Sequence, residues 1–235
     1  MKLNKLWLRS IKAKLIELGF FLLYNHLAFM YELVAWFVSL GQWSRWRQVA
    51  LNYMHHGTTL ELGYGTGVFF QQMMEQGLNP IGVDISPFMA GITYRRLHSH
   101  NLSCQVVQTC AESLPFPDSY FNNIVATFPT NYILQPATLA EIHRTSRGNA
   151  VLIIVTRGEL VAPEPIKIFI AWLHQITGKH NDEVVDLHNC FAQSGFKMES
   201  LIGEFQGAKA QLIIAHKIDL IIGAKKLAFS CQSKL

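Results

Sequence analysis

Charge is scarce in this sequence. Only 15% of its 235 residues are Asp, Glu, Lys or Arg, against 50% hydrophobic. It holds no block of like charge and no low-complexity tract, which excludes a disordered chain. Cysteine is also scarce. Cys104, Cys110, Cys190 and Cys231 are scattered, and none forms a C-x-x-C pair. That argues against a disulfide framework or a cysteine-type zinc site. Ten histidines occur without an H-E-x-x-H pattern, so no metal is expected. A reducing, cytoplasmic setting is the default for such cysteine usage. A clean signal peptide is missing, because the apolar stretch starts late and lacks a small-residue cleavage site. Residues 19–41 are apolar but contain Asn25, His26 and Glu32, each costly in hydrocarbon. They read as parts of two helices, over 3–24 and 26–40, rather than as a membrane span.

What charge there is sits unevenly. The net charge is +4, and the first 50 residues hold seven bases against two acids. These bases alternate with large apolar residues, as in Lys5-Leu6-Trp7-Leu8-Arg9. That pattern suits a packed or membrane-surface helix better than a phosphate-tracking groove. Peripheral membrane contact and an ordinary solvated helix face are the two readings; nucleic-acid binding is not expected.

Beyond residue 57 the rhythm changes. Short apolar runs at 58–62, 79–84, 104–108, 123–127 and 150–155 read as strands. Helical patterns fall at 68–76, 87–98, 137–145 and 182–194. Two final strands, 198–205 and 209–216, are joined by Gln206-Gly207. Strands alternating with helices at this spacing predict a parallel α/β sheet. The closing hairpin adds an antiparallel strand at one edge. The domain reading is a basic, apolar cap at 1–50, a core domain at 51–217 with a lid insertion at 157–178, and a tail at 218–235.

The strongest site signal is Glu61-Leu62-Gly63-Tyr64-Gly65-Thr66-Gly67. Glycines permit a tight strand-to-helix turn and let a ligand approach the backbone. On their own they also fit a plain βα turn. Asp84 follows Gly67 by 17 residues, at the end of the next strand. A carboxylate there accepts hydrogen bonds from ribose hydroxyls. The competing role, a helix N-cap, suits Ser86-Pro87 better.

These motifs are collinear with others: VDIS at 83–86, AESLPFPD at 111–118, Phe128-Pro129, and Glu141-Ile142-His143-Arg144. Together they resemble the class I S-adenosylmethionine-dependent methyltransferases, particularly the methyltransferase type 11 group. The resemblance implies a Rossmann-like α/β fold: a seven-stranded, mostly parallel sheet in the order 3-2-1-4-5-7-6, last strand antiparallel, with helices on both faces and an N-terminal helical cap. It implies S-adenosylmethionine as cofactor. Glu61 and the backbone of Gly63 and Gly65 would hold its methionine part. Asp84 would take the ribose, Ile85 would pack on the adenine, and Ala111 and Glu112 would lie along the adenine edge. Phe128 would line the transfer chamber, and Tyr64 and Met89 complete the expected set. Tyr31 and Trp46 resemble cap residues of menaquinone and ubiquinone methyltransferases and would sit over the cofactor. Three departures stand out: Cys110 and Asn122 where the group has Asp, and Gly148-Asn149-Ala150 where it has Pro-Gly-Gly.

The acceptor should enter above the carboxyl ends of the strands. The cap, the loop after Phe128 and the apolar segment IKIFIAWLHQIT would surround it, which favours a small lipophilic or aromatic acceptor. His26, Tyr132 and His174 are candidate catalytic groups. A catalytically degenerate cofactor-binding or membrane-associated scaffold of the same fold is the alternative function.

Overall fold

A computed structural model describes Ser39, residues 41–160 and residues 187–218. The expected helices before residue 39, most of the 157–178 insertion, and the tail beyond residue 218 lie outside the described residues. So do the site candidates Tyr31, His26 and His174.

The chain enters through helix α1 (Trp43–Gln48) and a 3-10 turn (Val49–Tyr53). Then come β1 (Thr59–Leu62), α2 (Val68–Glu75), β2 (Pro80–Asp84), α3 (Pro87–Ser99), β3 (Val106–Gln108) and β4 (Phe121–Thr127). A 3-10 turn (Asn131–Leu134) leads to α4 (Pro136–Thr145) and β5 (Ser146–Glu159), followed by α5 (Leu187–Gln193), β6 (Phe196–Phe205) and β7 (Ala208–Lys217). The seven strands lie in the order β3-β2-β1-β4-β5-β7-β6. β1 through β5 pair in parallel, and β7 runs antiparallel to both β5 and β6. This is the Rossmann-like sheet that the sequence leads one to expect.

Alternation along the buried strands divides the core in two. Ile124, Ala126, Leu152 and Ile154 face one way, against Leu139 and Ile142 of α4 and Phe191 of α5. Val125, Val151, Ile153 and Val155 face the other, against Phe69 and Met73 of α2 and Trp46, Val49 and Ala50. The start of the chain's described part therefore packs as one layer of the core. Gly158 shows how tightly: a Cβ there would overlap the Trp46 indole.

Both ends of β5 differ from the sequence reading. β5 runs from 146 to 159 instead of 150 to 155. Its polar end, Arg157–Glu159, pairs only with β7, so no apolar run marks it, and residues 157–159 belong to the sheet rather than to a lid. At its start, Ser146 pairs with Phe121 and Val151 with Asn123, leaving an exposed bulge at 147–149. That bulge replaces the turn that Pro-Gly-Gly would have made.

Register places the site. Leu62 is level with Val83 on one side and Ala126 on the other. The turns after β1, β2 and β4 therefore open at one end of the sheet, with Gln108 of β3 paired to Asp84 beside them.

Candidate functional site

The turn after β1 holds Gly63 at φ 70° and Gly65 at φ 54°, a left-handed backbone that side-chain-bearing residues rarely adopt. A Cβ on Gly63 would sit 2.9 Å from the Tyr132 hydroxyl, whereas the space beside Gly65 is open. Helix α3 braces this turn from outside. Thr93 Oγ1 donates to the Gly65 carbonyl at 2.9 Å, and Arg96 Nε donates to the Thr66 carbonyl at 2.8 Å.

Asp84 ties the second turn to the first. Its Oδ2 accepts from the Gly65 amide and its Oδ1 from the Ser86 amide, both at 2.9 Å. Burial pushes its pKa up, and hydrogen bonds from Ser86, Gly65 and Ile85 pull the other way. Each oxygen keeps a lone pair for a further donor. Ser86 caps α3 by accepting from the Met89 amide, so the cap and the carboxylate are separate residues, as the sequence suggests. Ile85, next to Asp84, is 69% exposed, a large apolar side chain facing solvent at the site's rim.

Glu61 is the unusual group. Leu60 and Leu62 pack toward α4, so Glu61 points to the opposite face, toward α1 and α2. It is buried, and its Oε2 has no hydrogen-bond partner. Burial pushes its pKa up to about 8; the Arg47 charge lowers it, and the Asp84 charge raises it.

The third wall comes from the β4 end and α1. Phe128 has φ 52°, strained for an aromatic residue. Its amide donates to the Val155 carbonyl at 2.8 Å, and its ring stacks on Trp43 with centroids 4.1 Å apart. Trp46 meets Phe128 edge-on at 6.4 Å. Arg47 lies over Trp43, 5.6 Å from the ring centroid. Across the opening, the Tyr132 hydroxyl donates to the Leu62 carbonyl at 3.3 Å.

The loop carrying Ala111 and Glu112 is clamped from below. Arg144 donates to the carbonyls of Leu114 and Phe116 at 2.9 and 2.8 Å, and to Glu141 and Asp118. Glu141 Oε2 accepts from the Leu114 amide at 2.8 Å. Arg144 holds the Glu141 carboxyl below its usual pKa. Asn122, the departure from Asp, accepts from the Thr58 amide and hydroxyl at 3.2 Å and so fixes the entry to β1.

The structure thus gathers Glu61, Gly63, Gly65, Asp84, Ile85, Phe128 and Tyr132 at one end of the sheet, with the Ala111–Glu112 loop beside Asp84. Three sequence candidates have their side chains in the core. Tyr64 and Met89 are core, packed with Phe70 and Leu97; only the Tyr64 backbone belongs to the turn. Trp46 is likewise buried against β5 and Phe128. Arg47, Trp43, Thr93 and Arg96 escaped the sequence reading as site residues. The i,i+4 spacing of Trp43 and Arg47 puts them on one helix face, which is the signal that could have exposed them. Among the described residues, no group of three or more His, Cys, Asp or Glu is placed to hold a metal. None of the described helices is long and apolar enough to cross a membrane.

Comparison with known proteins finds methyltransferases. The family model described as "Methyltransferase domain" matches residues 59–149, from β1 into β5. A demethylmenaquinone methyltransferase of Thermus thermophilus is 26% identical over 139 residues, covering 57% of this chain and 63% of that protein. A ubiquinone/menaquinone biosynthesis C-methyltransferase, UbiE, of Proteus mirabilis is 25% identical over 172 residues, covering 69% and 68%. The crystal structure of a SAM-dependent methyltransferase from Methanosarcina mazei superposes with a TM-score of 0.53 at 19% identity, covering 72% of this chain and 97% of that one. That last likeness is one of fold.

Proposed function

We propose that the protein is a class I S-adenosylmethionine-dependent methyltransferase, as the match of residues 59–149 to a methyltransferase domain supports, and that it transfers the cofactor's methyl group to a small lipophilic or aromatic acceptor. The cofactor supplies an activated methyl on a sulfonium, so the protein's task is to position an acceptor atom in line with it.

The observation that carries this reading is the orphaned Glu61 Oε2. A buried acceptor without a donor is costly, and an ammonium such as the cofactor's would satisfy it. The open space beside Gly65 admits a ligand against the turn. Asp84 would receive the ribose hydroxyls on its remaining lone pairs, and exposed Ile85 would cover the adenine. Ala111 and Glu112 would flank it.

The acceptor class rests on two supports. Two relatives are named a demethylmenaquinone methyltransferase and a ubiquinone/menaquinone biosynthesis C-methyltransferase. The walls of the opening, Phe128 stacked on Trp43, are aromatic. Tyr132 is the candidate positioned to touch the acceptor. It already donates to Leu62, so it is better placed to orient than to abstract a proton.

Isothermal titration with S-adenosylhomocysteine tests the cofactor site. Binding is expected, and Asp84→Ala should abolish it; no binding at millimolar ligand would sink the reading. A mass-spectrometric screen of lipid extract for products heavier by one methylene unit then identifies the acceptor. Cofactor binding without any turnover would favour the scaffold alternative.

A further inference from the structure

A turn built on Gly63, Gly65 and Gly67 has wide backbone freedom, which must be removed before it can hold a ligand in one pose. None of the three has a side chain to restrain it, so the restraint comes from outside. The Gly65 amide donates to Asp84 Oδ2, and the Gly65 carbonyl accepts from Thr93 Oγ1, both at 2.9 Å. One residue is thus gripped at both of its polar groups, by the end of β2 and by the middle of α3. Thr93 is fully buried. A threonine inside a helix commonly returns its hydroxyl to a carbonyl one turn back; this one reaches across to the neighbouring turn. The approach is direct, because a Cβ on Gly67 would lie 2.6 Å from Thr93 Cγ2 and 2.7 Å from its Oγ1.

We propose that Thr93 is a positioning residue for the methyl donor: its hydroxyl holds the Gly65–Thr66 peptide in one orientation, and through it the turn on which the donor's methionine part rests. This rests on the methyltransferase reading and adds to it a residue buried behind the turn. Peptide geometry explains how it acts. The described peptide bonds are all trans, so the carbonyl and the amide of each unit point in opposite directions. Drawing the Gly65 carbonyl onto α3 therefore directs the Thr66 amide away from α3. Arg96 draws the Thr66 carbonyl at 2.8 Å, and the amide of that same unit, on Gly67, closes the turn on the Tyr64 carbonyl at 3.0 Å. Without the Thr93 hydroxyl the Gly65 carbonyl loses its anchor. A glycine at φ 54° can then rotate at little steric cost, and ligand binding must supply the ordering.

The test titrates the full chain with S-adenosylhomocysteine and with methylthioadenosine, which keeps the adenine and ribose but lacks the amino-acid part. Thr93→Val keeps the shape of the side chain and removes the hydroxyl. It should weaken S-adenosylhomocysteine about 3- to 10-fold, the worth of one hydrogen bond, and methylthioadenosine by less than about twofold. Thr93→Ser keeps the donor and should retain the wild-type ratio of the two affinities. A general loss of stability lowers both affinities together, so a ratio that does not move in Thr93→Val overturns the proposal while leaving the methyltransferase reading intact. If Thr93→Val does not fold, Thr93→Ser still decides: a ratio that shifts although the hydroxyl is present overturns the assignment. Hydrogen exchange gives a readout without ligand. Amides of residues 63–67 should exchange faster in Thr93→Val than in the wild type, and equal rates overturn the proposal. Failure of the wild type to bind either probe overturns the methyltransferase reading as well.

Discussion

The buried carboxyl of Glu61 links the site to the solvent's pH. Its pKa is raised from 4.5 to about 8, so the folded chain holds this proton more tightly than the unfolded one. Its stabilising effect is full below about pH 4.5 and is lost as pH rises toward 8. Thermal melts without ligand should therefore fall in Tm across that window by less in Glu61→Gln than in the wild type. Equal slopes would show that the group is not buried as described. A cationic ligand reverses the preference, because an ammonium favours the ionised carboxylate. S-adenosylhomocysteine affinity should rise from pH 6 to 8 with release of a proton, read as a dependence of binding heat on buffer ionisation. In Glu61→Gln that release should vanish. Glu61 and Asp84 stood out in the sequence as acids in or at the end of apolar strands, and the structure buries both there. The burial of Tyr64 was not legible, since the direction of a side chain between two left-handed glycines depends on the turn's three-dimensional course. Arg47 was marked only by its i,i+4 spacing from Trp43, a pattern that ordinary helix packing also produces.

Between elements, two contacts set the shape of the opening. Arg144 of α4 holds the loop that carries Ala111 and Glu112 through the carbonyls of Leu114 and Phe116. Arg144→Met should cost about 1–3 kcal/mol and weaken S-adenosylhomocysteine more than S-adenosylhomocysteine weakens in a Glu204 variant remote from the loop; chemical denaturation and titration read the two effects. The exposed Asp118 partner, with 76% side-chain exposure, should matter little, because solvent screens it. Gly158→Ala forces the Trp46 indole off β5 and should destabilise by about 1–3 kcal/mol, with a shift in tryptophan emission. An unchanged emission maximum would mean that α1 tolerates the methyl without moving. Glu141 and Arg144 are visible in the sequence as an E-x-x-R motif, whereas their hold on the loop through Leu114 and Phe116 appears only in the fold. The second contact was invisible, because polar Arg157, Gly158 and Glu159 carry no strand signal and owe their conformation to pairing with β7.

At the scale of the whole molecule, ligand binding and stability are one equilibrium. Saturation with S-adenosylhomocysteine at about 100 times its dissociation constant should raise Tm by roughly 5–10 °C for a chain of this size. Asp84→Ala should show no such rise, and a similar rise there would remove Asp84 from the site. The sheet order was readable because collinear motifs fix it, whereas strand ends were not, because pairing partners decide them. The order of the last two strands has a consequence for how the chain acquires its shape. β7 lies between β5 and β6, so β6, though synthesised earlier, reaches the sheet only through its successor. Gln206 and Gly207, at φ 49° and 79°, form the kind of two-residue reversal that lets neighbouring strands zip within microseconds. The hairpin is thus a local, fast-forming unit, while its docking on β5 closes a long loop and is correspondingly slow. Until that docking, the apolar row Leu212, Ile213 and Ile214 has no cover, and a nascent or heated chain would be most prone to aggregate through it.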